Sequence, residues 1–350
     1  MRRTRINRSS LLSPSALAVT VAAILVGVAE LAAADQLNIY SARHYQTDEA
    51  LYARFTEITG ISVNRIEDNE DPLLERIVNE GVNSPADVLI TVDAGRLWRA
   101  DQAGIFAAID SPVLTARIPV HLRHPDGHWF GFATRARVIV YAKDRVDPAT
   151  LATYQDLADP RWHGKVCMRS GSNIYNLSLL GSIIAHDGAA AAEAWAAGVV
   201  ANMARPPEGG DTDQIKAVAA GECDIAVANT YYYVRLVTSD DPDDNAIAAK
   251  VGVIFPNQAT TGTHVNVSGA GVLAHAPHPE AALKFLEYLA SDEAQRHFAD
   301  GNNEYPVVPG LPNNRALQAL GNFRADTLPV AEIGANQPLA QQIFDRVGWQ

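Results

Sequence analysis

The sequence predicts an α/β protein of two lobes joined by two extended crossings, a hinged clamshell with its cleft between the lobes. Three observations carry this. From Leu37 to Thr91, short strand-like apolar runs alternate with helical spacings, the pattern of a parallel sheet covered by helices. Two extended runs, at 129–141 and 251–256, have no helix between their apolar segments. Between those runs the strand–helix alternation resumes. A chain of 350 residues is long for one core and comfortable for two.

The elements follow in order. Arg2, Arg3, Arg5 and Arg8 precede an uncharged run from Leu11 to Val28, which gives way to the small residues Ala32–Ala34. This order predicts a secretory signal peptide over 1–34. Ser13-Pro14-Ser15 breaks the apolar run, leaving it short of the ~20 residues of a membrane-spanning helix. Leu37–Ser41 reads as a first strand. Residues 47–59 have helical spacing, with Ala50, Leu51, Phe55 and Ile58 on one face and Gly60 as the stop. Ile61–Ile66 alternates as a strand, Pro72–Glu80 is a helix, and Ala86–Thr91 a buried strand. Residues 129–141 make the first crossing. A strand at 165–169, helices at 174–186, 188–204 and 211–220, a strand at 223–228 and a helix from 231 follow. Residues 251–256 read as the return crossing. Helices at 279–290, 291–299 and 338–347 close the chain, the last with Pro338 in its first turn. The lobes are then 35–134 with 255–305, and 135–254 with 306–350.

Composition excludes some functions. The formal charge is −12, and residues 1–34 carry a net +3, which leaves −15 on the rest. That acidity argues against a nucleic-acid partner. No Gly-x-Ser-x-Gly elbow, metalloprotease helix or phosphate-cradling lysine loop occurs, so no enzyme is expected. Cys167 and Cys223 are the only cysteines and are a disulfide candidate in an oxidising compartment, the alternative being two buried thiols.

Four features gather at strand ends, where ligands bind in open α/β sheets: Arg43-His44-Tyr45, Arg135, Ser170–Tyr175 and Asn229–Tyr233. Phenolate is a hard anionic donor suited to a hard trivalent cation. A free phenol titrates near ~10, so it ionises at neutral pH only beside strong positive charge. Any one tyrosine more often packs at an interface, but three in a row at a strand-to-helix turn are less easily dismissed. At a helix start Tyr231 and Tyr232 can face one cleft, with Tyr233 turned away. His121, His124 and His128 surround Pro125-Asp126-Gly127, a turn that breaks any metal-binding helix there. Glu67, Asp68, Glu70 and Asp71 read as a solvated acidic loop rather than a calcium loop.

The segments 39–45, 87–98, 134–141, 172–176 and 224–233 resemble the periplasmic ferric-ion-binding proteins of bacterial ABC importers, in particular a tyrosine-rich subgroup with cyanobacterial iron-uptake members. The likeness runs over nearly the whole chain after residue 34. It implies a type II periplasmic binding fold and iron ligation by Tyr231, Tyr232, Tyr175, Tyr45 and His44. It implies that Arg135 holds a carbonate-like anion or balances phenolate charge. The implied protein is a periplasmic, monomeric carrier that passes Fe³⁺ to an inner-membrane ABC permease. Another solute, such as an anion, a polyamine or a phosphorylated vitamin, is the alternative.

Overall fold

The computed structural model describes residues 35–43 and 45–350. The segment 1–34, read as a signal peptide, and His44 lie outside the described residues. No helix among the described residues is long and apolar enough to cross a membrane.

The chain begins with β1 (Gln36–Ser41), α1 (Asp48–Thr59), β2 (Ser62–Glu67), α2 (Glu70–Glu80), β3 (Val88–Val92), α3 (Ala94–Gln102) and α4 (Pro112–Arg117). β4 (Phe130–Ala142), β5 (Val166–Cys167), α5 (Ile174–Asp187), α6 (Ala189–Asn202), α7 (Asp211–Ala220), β6 (Ile225–Asn229) and α8 (Thr230–Val237) follow. α9 (Pro242–Lys250), β7 (Val251–Ile254), β8 (Val265–Val272), α10 (Pro279–Leu289), α11 (Asp292–Asn302), β9 (Tyr305–Pro306), α12 (Arg315–Ala319), α13 (Val330–Ala335) and α14 (Gln337–Val347) complete it.

The sheet runs in the order β2-β1-β3-β8-β4-β6-β5, with β7 and β9 also on β4. β1 pairs in parallel with β2 and β3, as the strand–helix alternation predicts. The centre is antiparallel. β4 pairs β8 from Phe130 to Ala136, then β6 and β7 from Arg137 to Ala142. One 13-residue strand therefore serves two halves of the sheet. The apolar core divides accordingly. One large cluster gathers around β1, β3 and the start of β4, a second around the end of β4, β6, α5 and α6. Val307, Val308, Val330 and Ile333 pack in the first cluster and Ile343 and Phe344 in the second. The C-terminal stretch is thus shared between the clusters, where the sequence reading puts 306–350 in one lobe.

Two local readings differ. On α1 the buried face is Leu51, Tyr52 and Phe55, while Ile58 is 48% exposed; Tyr52 takes the core position because its ring packs 6.0 Å from that of Phe285. The return to the first half of the sheet is not made at 251–256. That run is β7, which stays beside β4, and the chain returns through β8. β8 hides from periodicity because Ser268, Gly269, Ala270 and Gly271 are small and buried on both faces. A Cβ at Gly269 would stand 2.8 Å from the Phe130 carbonyl, so close strand packing requires glycine there.

Candidate metal centre

Each tyrosine is delivered by the end of a strand. β1 stops at Ser41, and Tyr45 follows just before α1. β5 leads into the loop before α5, whose N-cap Asn173 accepts the Tyr175 amide N–H at 3.1 Å. β6 ends at Asn229, an extended residue, and α8 opens at Thr230. On a strand Tyr231 and Tyr232 would point to opposite faces. In the first helical turn both line one cavity, with rings 4.2 Å apart. Tyr233 packs instead against the small cluster around the disulfide.

Tyr45, Tyr175, Tyr231 and Tyr232 line a single cavity of about 230 Å³. The hydroxyls of Tyr175 and Tyr231 are 3.3 Å apart. Burial pushes the phenols of Tyr45, Tyr175 and Tyr231 above the ordinary tyrosine value, so all three are neutral at pH 7 until a cation displaces their protons. Arg135 is fully buried and donates to Ser268 and, at 2.5 Å, to Glu304. Its Nε and Nη1 find no hydrogen-bond partner among the described residues, and its guanidinium lies 6.0 Å from the Tyr231 ring.

Sequence reasoning named Arg43 and Arg135 but missed the carboxylates and the other arginines of the charged frame. Glu304, 0% exposed, pairs with Arg43 and Arg135, and Arg43 sits 4.6 Å over the Tyr45 ring. Asp211, also 0% exposed, pairs with Arg137 and Arg169, whose guanidinia flank the Tyr175 ring at 5.8 and 5.4 Å. Arg235, one helical turn past the tandem tyrosines, faces the rings of Tyr45, Tyr231 and Tyr232 at 5.2, 4.9 and 5.8 Å. Only the i, i+3 and i+4 spacing of Arg235 from Tyr232 and Tyr231 signals a shared face; the carboxylates give no sequence signal.

Other candidates resolve as follows. Cys167 and Cys223 form a disulfide. Glu70 is not part of a solvated loop: it is 2% exposed, receives Arg96 at 2.6 Å, and lines the tyrosine cavity. Burial pushes its carboxyl up to about 7. His124 and His128 meet Asp101, without His121. Their rings stack in parallel, 4.4 Å apart and inclined by 5°, so the in-plane lone pairs do not converge. His124 Nδ1 also accepts the Asp126 N–H at 3.1 Å. That trio is not arranged around a metal position. A second cavity, of about 570 Å³, is lined by Arg96, Arg99, Arg169, Ser170 and Ser172.

The sequence profile of the family described as bacterial extracellular solute-binding proteins matches residues 83–323. The chain is 55% identical over 316 residues to iron uptake protein A2 of a Synechocystis species, covering 90% of both proteins. It is 30% identical to the Fe(3+)-binding periplasmic protein of Serratia marcescens, covering 94% of this chain and 96% of that one. Among solved structures, a Trichodesmium protein (IdiA, FutA) in complex with iron and citrate ligands superposes with a TM-score of 0.88 at 56% identity, covering 90% of this chain and all of that one. Apo FutA2 from Synechocystis superposes with a TM-score of 0.87 at 54% identity, covering 91% of this chain and all of that one.

Proposed function

This chain belongs to the bacterial extracellular solute-binding proteins, and from that premise we propose that it is a periplasmic carrier that binds ferric iron and delivers it to an ABC permease. The observation that carries the reading is the convergence of four phenols on one cavity. Phenolate oxygens are hard donors, and a hard trivalent ion is the cation that both attracts them and removes their protons. Tyr45, Tyr175, Tyr231 and Tyr232 are the proposed ligands, with His44 as a further donor from the Tyr45 segment. Four phenolates exceed the charge of one Fe³⁺ by one. The guanidinia around the rings offset that excess. The unpartnered nitrogens of Arg135 also suit a small synergistic anion such as carbonate.

Tyr45 comes from the first half of the sheet and the other three from the second. A metal bound by both therefore favours their closed arrangement over the open one, and closure marks the loaded form for the permease. The relatives with iron in their names support this reading. The carrier is proposed to act as a monomer, exported by the leader at 1–34, with no catalytic step and no nucleic-acid partner.

The test is the visible spectrum. The iron-free protein is expected to gain a purple-red phenolate-to-iron charge-transfer band when titrated with ferric citrate, at one ion per chain. The double variant Tyr231→Phe/Tyr232→Phe is expected to lose the band and tight binding. Full colour and affinity in that variant would refute the assignment. A second reading, a carrier of a free anion, draws on the arginine- and serine-lined cavity beside the tyrosines. Calorimetry separates the two: heat with phosphate or polycarboxylates in the absence of iron, and none with ferric ion, favours the second.

A further inference from the structure

We infer that Asp211 is a positioning residue for the tyrosine centre, fixing the Tyr175 segment and the Tyr231–Tyr232 segment relative to each other. The inference rests on the ferric reading above. Asp211 opens α7, an element that contributes no tyrosine to the cavity. Its carboxylate is fully buried and makes three contacts, each on a different part of the site. Oδ2 accepts the backbone N–H of Asn229 at 2.7 Å, two residues before Tyr231. Oδ2 also accepts Arg137 Nη1 at 2.6 Å. Oδ1 accepts Arg169 Nη1 at 3.1 Å, in the loop that leads to Tyr175.

The contacts close into a ring. Arg137 donates its other terminal nitrogen to Asn176 Oδ1 at 2.9 Å. Asn176, next to Tyr175, returns its amide to the carbonyls of Arg169 and Ser170 at 3.0 and 3.1 Å. So the one carboxylate is tied to residues immediately beside Tyr175 and just ahead of Tyr231, and the two arginines it holds flank the Tyr175 ring. The disulfide ties Cys167, the last residue of β5, to Cys223, two residues before β6 begins. It sets their separation but leaves the loop at 168–174 and the start of α8 to be set by Asp211. Asparagine at 211 would keep one acceptor oxygen but lose the charge and the second oxygen, so the Asn229 amide, Arg137 and Arg169 could no longer all be held at once. The phenol oxygens would then be displaced relative to one another while the sheet stayed intact.

The experiment compares wild type, Asp211→Asn and Arg169→Met. Three quantities are measured: the urea midpoint of the iron-free protein, ferric affinity by competition with citrate, and the position and strength of the charge-transfer band. Asp211→Asn is expected to stay folded, lose roughly 10- to 100-fold in ferric affinity, and show a shifted or weakened band. Arg169→Met leaves Asp211 paired with Arg137 and Asn229, and is expected to shift the band with a smaller loss. Wild-type affinity and band in Asp211→Asn overturn the inference. Should Asp211→Asn fail to fold, wild-type affinity and band in Arg169→Met overturn it. A wild-type protein with no ferric band removes the ferric reading itself, a different result from either.

Discussion

Each buried phenol in the cavity has to lose its proton before it can hold a cation. Burial raises the phenols of Tyr45, Tyr175 and Tyr231, so the empty centre holds these protons throughout the neutral range and ferric binding releases them. Apparent ferric affinity is therefore expected to rise with pH, by up to about tenfold per pH unit for each proton displaced. Citrate competition between pH 6 and 8, corrected for the titration of citrate, checks this; a flat profile contradicts it. His264 obeys the opposite sign. It is 2% exposed at the entrance to β8, with both ring nitrogens unpartnered among the described residues. Burial, reinforced by the Arg137 charge, pushes its pKa down from 6.5 to about 3. A depressed value means stability that is present above pH 6.5 and lost as pH falls toward 3, at about 1.4 kcal/mol per unit. His264→Gln is expected to flatten the fall in urea stability between pH 6 and 4; an unchanged slope would show that other groups dominate acid unfolding. The tyrosines were legible as a run at a strand end. Glu304, Asp211 and His264 were not, because a single acid or imidazole in sequence does not reveal which arginines it meets or what buries it.

Helices and strands declare themselves where local chemistry and packing agree. α1 ends at Gly60, whose φ of 74° and backbone N–H, donated to the Thr56 carbonyl, form a left-handed cap. α11 is capped by Ser291, whose hydroxyl accepts the Ala294 N–H at 3.2 Å, and Ser291→Ala is expected to cost about 1 kcal/mol. α5, α6, α7 and α14 lie within a residue or two of their sequence-predicted spans. The hidden elements are those whose residues serve the neighbour rather than themselves. β8 is small and two-sided, and α3 carries Arg96 and Arg99 toward Glu70 instead of a plain apolar stripe. β5 is only two residues long, yet it is anchored to β6 by the disulfide. That bridge spans 56 residues of sequence, and closing such a loop removes about 4 kcal/mol of chain entropy from the unfolded state. Cys167→Ala/Cys223→Ala is expected to lose up to that much in urea unfolding and still to bind ferric ion, since neither cysteine touches the cavity. Loss of the charge-transfer band at saturating iron in this variant would mean that the strand pair, and not the side chains at its ends, fails first.

The described residues from 35 onward form two packed halves joined through β4 and β8, with the tyrosine cavity receiving residues from both. The first crossing, at 129–141, was legible because an extended apolar run with no helix inside it leaves few alternatives. The return route was not, since β7 and β8 are separated by a loop that carries no periodicity. A ligand held by both halves stabilises the native state as a unit: ferric ion at 100 times its dissociation constant is expected to add about 2.7 kcal/mol, read as a rise in the urea midpoint. The central claim is that four phenol oxygens, one from the first half and three from the second, meet at one ferric ion. Diffraction from iron-loaded crystals at the iron absorption edge tests it most directly. A single anomalous peak is expected within bonding distance of the hydroxyl oxygens of Tyr45, Tyr175, Tyr231 and Tyr232. A peak elsewhere, or one approached by fewer than three of those oxygens, would contradict it.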